Sequence, residues 1–152
     1  MPSIMRKVVF SLIFVGVMLG VSLSAASGSN GNKEEVKNRM KIKIGANVFS
    51  ATLEDNVAAT AFKTMLPLSL NMSDLNGNEK YFHFSAELPS EDSNPRTIRA
   101  GDLMIWRSRS LVLFYKDFPT SYSYTRLGRI DDASGLADAV GSGNVTITFE
   151  RH

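Results

Sequence analysis

No catalytic constellation stands out among the residues of this 152-residue chain. His83 is the only histidine besides the last residue, and there is no cysteine. Disulfides, thiolate catalysis and thiolate metal sites are therefore excluded. A metal would have to rest on carboxylates, whose spacing follows no recognised ligand pattern. A nucleophilic triad needs His83 beside a serine and an acid. No local pattern supplies them, so His83 reads as a structural or surface residue. Asp74 and Glu79 resemble a carboxylate pair, but the Asn76-Gly77 step between them favours the positive φ of a tight turn and assigns the pair to loop shaping. Gly141-Ser142-Gly143-Asn144 has the look of an anion nest. A glycine-rich link from helix to strand accounts for it better.

The aromatic residues carry a stronger signal. Tyr122 and Tyr124 alternate on one strand face with Arg126, and Tyr115 and Phe84 fall on strands able to neighbour it. Tyrosine offers apolar area and a hydroxyl together, so such a lining around one arginine suits an extended peptide or a small anionic ligand. Arg126, Tyr122, Tyr124, Tyr115 and Phe84 are the expected ligand-binding residues. Trp106 is expected in the core. For Tyr122, Tyr124 and Arg126, a groove and an ordinary barrel edge remain alternative placements.

These side chains must be held by short strands. Met40 to Leu53 reads as a hairpin turning at Gly45-Ala46-Asn47. Asp55 or Asn56 can cap a helix whose stripe is Val57, Ala61 and Met65, with Pro67 stopping it. Strands are expected over Leu68–Met72 and Tyr81–Ser85, then a long polar segment from Glu87 to Arg99, of a kind more often functional or mobile than merely connecting. Asp102–Arg107 and Leu111–Lys116 form a second hairpin, and Tyr122–Ile130 another strand. Asp131 or Asp132 can cap a short helix through Leu136, Ala137 and Val140, ended by Gly141 or Gly143. Asn144–Glu150 alternates cleanly. About seven or eight strands with two short helices describe a mainly β barrel or sandwich, the helices sized to plug a barrel's open ends.

The first 26 residues read as a bacterial-type secretory signal peptide. Arg6 and Lys7 precede sixteen uncharged residues from Val8 to Leu23, and Ser24 and Ala26 stand where a signal peptidase cuts. An uncleaved anchor is the alternative, and would be the only route to membrane contact. Without Arg6 and Lys7, fifteen basic residues face fifteen acidic ones, so the pI near 9.0 is no argument for nucleic acid. Residues 27–39 read as a flexible linker and 40–152 as one domain, in the periplasm or outside the cell.

Several motifs resemble a known family. Met72-Ser73-Asp74-Leu75-Asn76-Gly77-Asn78-Glu79-Lys80, Gly101-Asp102-Leu103-Met104, Leu113-Phe114-Tyr115-Lys116, Ser121-Tyr122-Ser123-Tyr124-Thr125-Arg126-Leu127-Gly128 and Gly141-Ser142-Gly143-Asn144-Val145 are similar, in order, to the small bacterial and archaeal cyclophilin-like domains. The resemblance implies a closed cyclophilin-like β-barrel of about eight strands, and no particular activity. Cyclophilin-type prolyl isomerases have an arginine after Phe-His and a glutamine that contacts substrate. The arginine helps lower a barrier of roughly 18–20 kcal/mol. Here Phe84 follows Phe82-His83, and the chain has no glutamine. Arg126 or Arg99 would have to substitute from another strand. The expectation is a domain that binds a peptide or small ligand in a groove on the barrel, needing no cofactor. A prolyl isomerase with a non-standard site is the alternative. A role as accessory to a redox or flavin protein has no residue in its favour.

Overall fold

A computed structural model describes residue 33 and residues 36–152. The proposed signal segment and most of the linker lie outside the described residues. From residue 39 onward the described residues form, in chain order, β1 (Arg39–Ile44), β2 (Asn47–Leu53), α1 (Val57–Thr64), β3 (Leu68–Leu75), β4 (Glu79–His83), β5 (Thr97–Ile98), β6 (Asp102–Trp106), β7 (Ser110–Phe114), β8 (Phe118–Pro119), β9 (Thr125–Ile130), α2 (Leu136–Val140) and β10 (Val145–Arg151). Eight strands close a barrel in the order β1-β10-β3-β4-β7-β6-β9-β2, every pairing antiparallel. β5 and β8 pair separately.

The inward residues alternate, as a sheet with one buried face requires. Met40, Ile42 and Ile44 of β1 meet Leu70, Met72, Leu113, Ile147 and Phe149 in the main core. Eight strands leave an interior just wide enough for side chains to fill. Helix α1 adds Ala58, Ala59 and Phe62 to that core, with Phe62 edge-on to Phe149 at 5.7 Å. α2 adds Leu136 and Val140.

β6 and β7 are different. Nearly every residue of DLMIW and SLVLF is buried, because both faces are covered. Leu103, Ile105, Leu111 and Leu113 point into the barrel. Met104, Val112 and Phe114 point outward into a second cluster with Ile98 and Tyr124. The segments carrying β5 and β8 lie over this outer face.

Local expectations met the structure unevenly. Asn56 caps α1 as expected, its Oδ1 accepting from Ala59 N at 2.8 Å, and Gly141 ends α2. The acidic cap of α2 is a correction. Gly135 holds that position with no side-chain bond, because Asp131 is engaged across strands with Thr52 at 2.7 Å and Arg39 at 3.2 Å. Asp132 accepts instead from Ser134 N at 2.9 Å, one turn too early. The strand expected from Tyr122 begins only at Thr125. Tyr124 pairs with Ser93 as an isolated bridge, and Tyr122 N is drawn aside by the Thr120 hydroxyl at 3.1 Å.

The Glu87–Arg99 segment is strapped to the barrel. Leu88 N donates to Ser108 O at 2.8 Å, Glu91 N to Thr125 Oγ1 at 2.9 Å, and Thr125 Oγ1 to Asp92 Oδ1 at 2.6 Å. Backbone polar groups that leave the sheet have thus found partners.

Candidate ligand groove on the outer barrel face

β4 runs along the edge of the covered outer face. Its period of two sends Lys80 and Phe82 inward and Glu79, Tyr81 and His83 outward. Beside them β7 contributes Ser110 and Val112, β6 contributes Trp106, and β8 with the following loop contributes Phe118, Tyr122 and Tyr124. Together they enclose a groove of about 480 Å³, with Leu75 and Asn78 at its β3–β4 end. Leu75 is 43% exposed and Tyr122 64%, an apolar concentration at one place on the surface.

The polar groups in the groove are few. His83 Nδ1 and Ser110 Oγ lie 2.6 Å apart, and the Tyr81 and His83 rings are 5.1 Å apart. Ser110 is buried, and no acid is bonded to His83 among the described residues. This is a structurally partnered histidine with one edge on the groove. The Asn78 side-chain oxygen is buried without a hydrogen-bond partner among the described residues. Glu79 is half-buried. Desolvation, then the neighbouring Asp74 charge, raises its carboxyl to about 7.

Behind the groove stands a second polar assembly. Lys80 is wholly buried; its Nζ lies 2.9 Å from Asp74 Oδ1 and donates to Gly141 O at 2.8 Å and Gly143 O at 2.6 Å. Tyr115 donates its hydroxyl to the same Asp74 oxygen at 2.5 Å, and Gly77 N donates to the other at 3.1 Å. The hydrogen bond from Tyr115 and then the one from Lys80 hold the Asp74 carboxyl below its usual range. Burial, with that same bond, pushes the Tyr115 phenol up to about 12. Asp74 therefore does shape the Asn-Gly loop, and it holds Lys80, which clamps β4 to the glycine-rich link before β10. Leaving one partner of a buried pair uncompensated costs about 3–5 kcal/mol, which makes this a structural clamp.

The five expected ligand-binding residues are thus separated. Tyr122 and Tyr124 reach the groove. Tyr115 is buried in the clamp, and Phe84 packs on the main core with its ring 5.5 Å from Phe82. Arg126 is exposed on β9 and is not on the groove wall; its carbonyl accepts from the Asn56 side chain at 2.9 Å, tying β9 to the start of α1. Trp106, expected in the core, is half-buried on the groove, with the Arg107 guanidinium 4.5 Å above its ring. Glu79, Tyr81 and Asn78 join the groove without having been expected there. The alternation Glu79-x-Tyr81-x-His83 is a readable signal, but a strand begun at Tyr81 instead of Glu79 leaves the carboxylate in the turn. Among the described residues no group of three or more His, Asp or Glu side chains converges as a metal site.

With this barrel and groove in place, likeness to other proteins becomes informative. The sequence pattern of the cyclophilin-like family matches residues 42–150, well over half of the chain. The chain belongs to the cyclophilin-like family. Among solved structures, that of a hypothetical protein from Archaeoglobus fulgidus is similar, with a TM-score of 0.55 and 20% identity over 75% of this chain and 94% of the other. At that identity the likeness concerns the cyclophilin-like fold. No curated protein matches the chain.

Proposed function

We propose that this protein is a ligand-binding member of the cyclophilin-like family, and that the outer-face groove takes an extended peptide segment or a small ligand. The observation that carries this reading is the cluster of five aromatic side chains, Tyr81, Trp106, Phe118, Tyr122 and Tyr124, around one recess outside a barrel already filled by its own core. Aromatic walls with a few converging polar groups are what such sites use. Arg126, Tyr115 and Phe84 have no part in it.

Prolyl isomerisation is the less supported use of the same groove. No lysine or arginine lines it, and the chain has no glutamine, so nothing there offers the amide a charged donor. A protease-coupled assay with the full chain and a blocked Ala-Ala-Pro-Phe peptide is expected to show no rate above the thermal reaction.

Trp106 is the sole tryptophan and reports on the groove directly. Titration with a blocked Gly-Lys-Gly tripeptide is expected to change its fluorescence. Tyr122→Ala is expected to weaken that binding about fivefold or more, the usual scale for a contact tyrosine, with an unchanged Tm. Equal affinity in the variant, or a silent wild-type titration, overturns the groove assignment. We further propose that the protein acts beyond the cytoplasmic membrane, a reading that rests on the charged and apolar pattern of residues 6–26.

A further inference from the structure

The chemistry of the groove restricts its occupant. It contains five aromatic rings and one carboxylate, Glu79, and neither lysine nor arginine is on its wall. The faces of the rings carry the negative side of the aromatic quadrupole, which attracts cations. His83 turns Nδ1 to Ser110. An anion placed here would meet Glu79 and the ring faces together. A neutral apolar ligand would remove more water from Glu79 and leave its charge uncompensated. A group carrying both positive charge and N–H donors satisfies every one of these features.

We propose, building on the groove reading above, that the site is selective for an ammonium or guanidinium group, held between the aromatic walls by the Glu79 carboxylate. The Arg107 guanidinium, itself not on the groove wall, lies 4.5 Å from the Trp106 ring centroid and shows that this ring attracts a cation. The raised Glu79 carboxyl agrees with a site short of one positive charge. Glu79 is faced by Asp74 from β3, by Tyr115 after β7 and by Tyr124 of the covering loop, while Lys80 of its own strand is turned inward and spent on Asp74. The one buried ammonium nearby is therefore already paired.

The cation can come from a basic side chain of a peptide or from a free amine. The test uses the full chain at pH 8 and three probes: a blocked Gly-Lys-Gly tripeptide, its norleucine counterpart, and n-butylammonium. Binding is read from Trp106 fluorescence and from amide chemical shifts of β4 and β7. The lysine peptide is expected to bind about tenfold more tightly than the norleucine peptide, the scale of a desolvated cation–aromatic contact joined to a carboxylate. Glu79→Gln is expected to abolish that preference while retaining the urea unfolding transition. Competition by n-butylammonium at similar concentration identifies the ammonium alone as sufficient; lysine-peptide binding without such competition assigns the source to peptides. Equal binding of the lysine and norleucine peptides overturns cation selectivity and leaves the groove reading standing. No response to any probe removes both. The lysine-against-norleucine comparison is made in the wild-type chain, so it does not depend on how the variant folds.

Discussion

Two carboxylates five residues apart show how position in a strand sets the behaviour of a group. Asp74 is held charged by Lys80 and Tyr115, whereas Glu79, one face away on the adjoining strand, is held towards neutrality by burial and by Asp74 itself. Their effects on stability have opposite signs. The folded Asp74 carboxyl lies below its unfolded value, so its contribution is present above that value and is lost as pH falls through the folded one. The folded Glu79 carboxyl lies near 7 against an ordinary 4.5, so the folded state binds the extra proton. Its contribution is complete below about pH 4.5 and is lost as pH rises through 7. Urea unfolding of the wild type at pH 5 and pH 8 is expected to show this decline, and Glu79→Gln to flatten it. After allowance for part exposure of the side chain, the variant gains on the order of 1 kcal/mol over wild type at pH 8. Identical pH profiles for the two proteins would mean that Glu79 is solvated in the folded state.

At the scale of elements, the barrel depends on places where backbones approach closely. Gly128 on β9 is opposite Leu53 in the β2–β9 pairing. A Cβ there would collide with Thr52 O and come within 3.0 Å of Leu53 Cα, both of them backbone atoms that cannot rotate away. Gly128→Ala is therefore expected to cost about 1–3 kcal/mol, the range for overpacking a fitted interior, and to lower the urea midpoint without changing its slope. Wild-type stability in this variant would show that β2 and β9 separate at no cost. The β6–β7 turn bears a different constraint. Arg107 and Ser108 both have positive φ, 48° and 61°, without glycine or asparagine to ease it. That turn carries the Trp106 end of β6 to Ser110, two residues of the groove wall.

At the scale of the whole molecule, closure and coverage divide the labour. Closing eight strands removes the exposed edges that would otherwise recruit other chains. The interior is filled, and on the outer face the β5 and β8 segments roof the second cluster while β8 and the loop after it make one wall of the groove. No helix among the described residues is long and apolar enough to cross a membrane. Export is argued from residues 6–26, and its test is direct. Expression in a bacterial host followed by N-terminal sequencing of the exported fraction is expected to give Ser27 as the first residue. A chain retained whole in the cytoplasm overturns that proposal.

Much of the barrel is legible in the sequence, because its determinants are local. Period-two alternation in Lys41–Ile44 and Val145–Phe149, the Asn56 cap and the glycine turns each depend on neighbours a few residues away. The family motifs extend that reading to closure. The groove resists it. Tyr122, Tyr124 and Arg126 have the spacing of one strand face, yet the bridge from Tyr124 to Ser93 and the pull of Thr120 on Tyr122 take the tyrosines out of the strand before Arg126 enters it. Sequence spacing carries no information about partners thirty residues away. Nor does it say which face of β7 will be roofed, since a strand buried on both sides reads as one apolar run. The sequence alone determined that β-strands would enclose an apolar interior and that thiolate chemistry is absent. Only the tertiary structure decided which residues share the outer recess, because that depends on long-range pairing between β4, β7 and the loop after β8. Those pairings bring Glu79, Asn78 and the aromatic rings to one place, and they leave Arg126 off its wall.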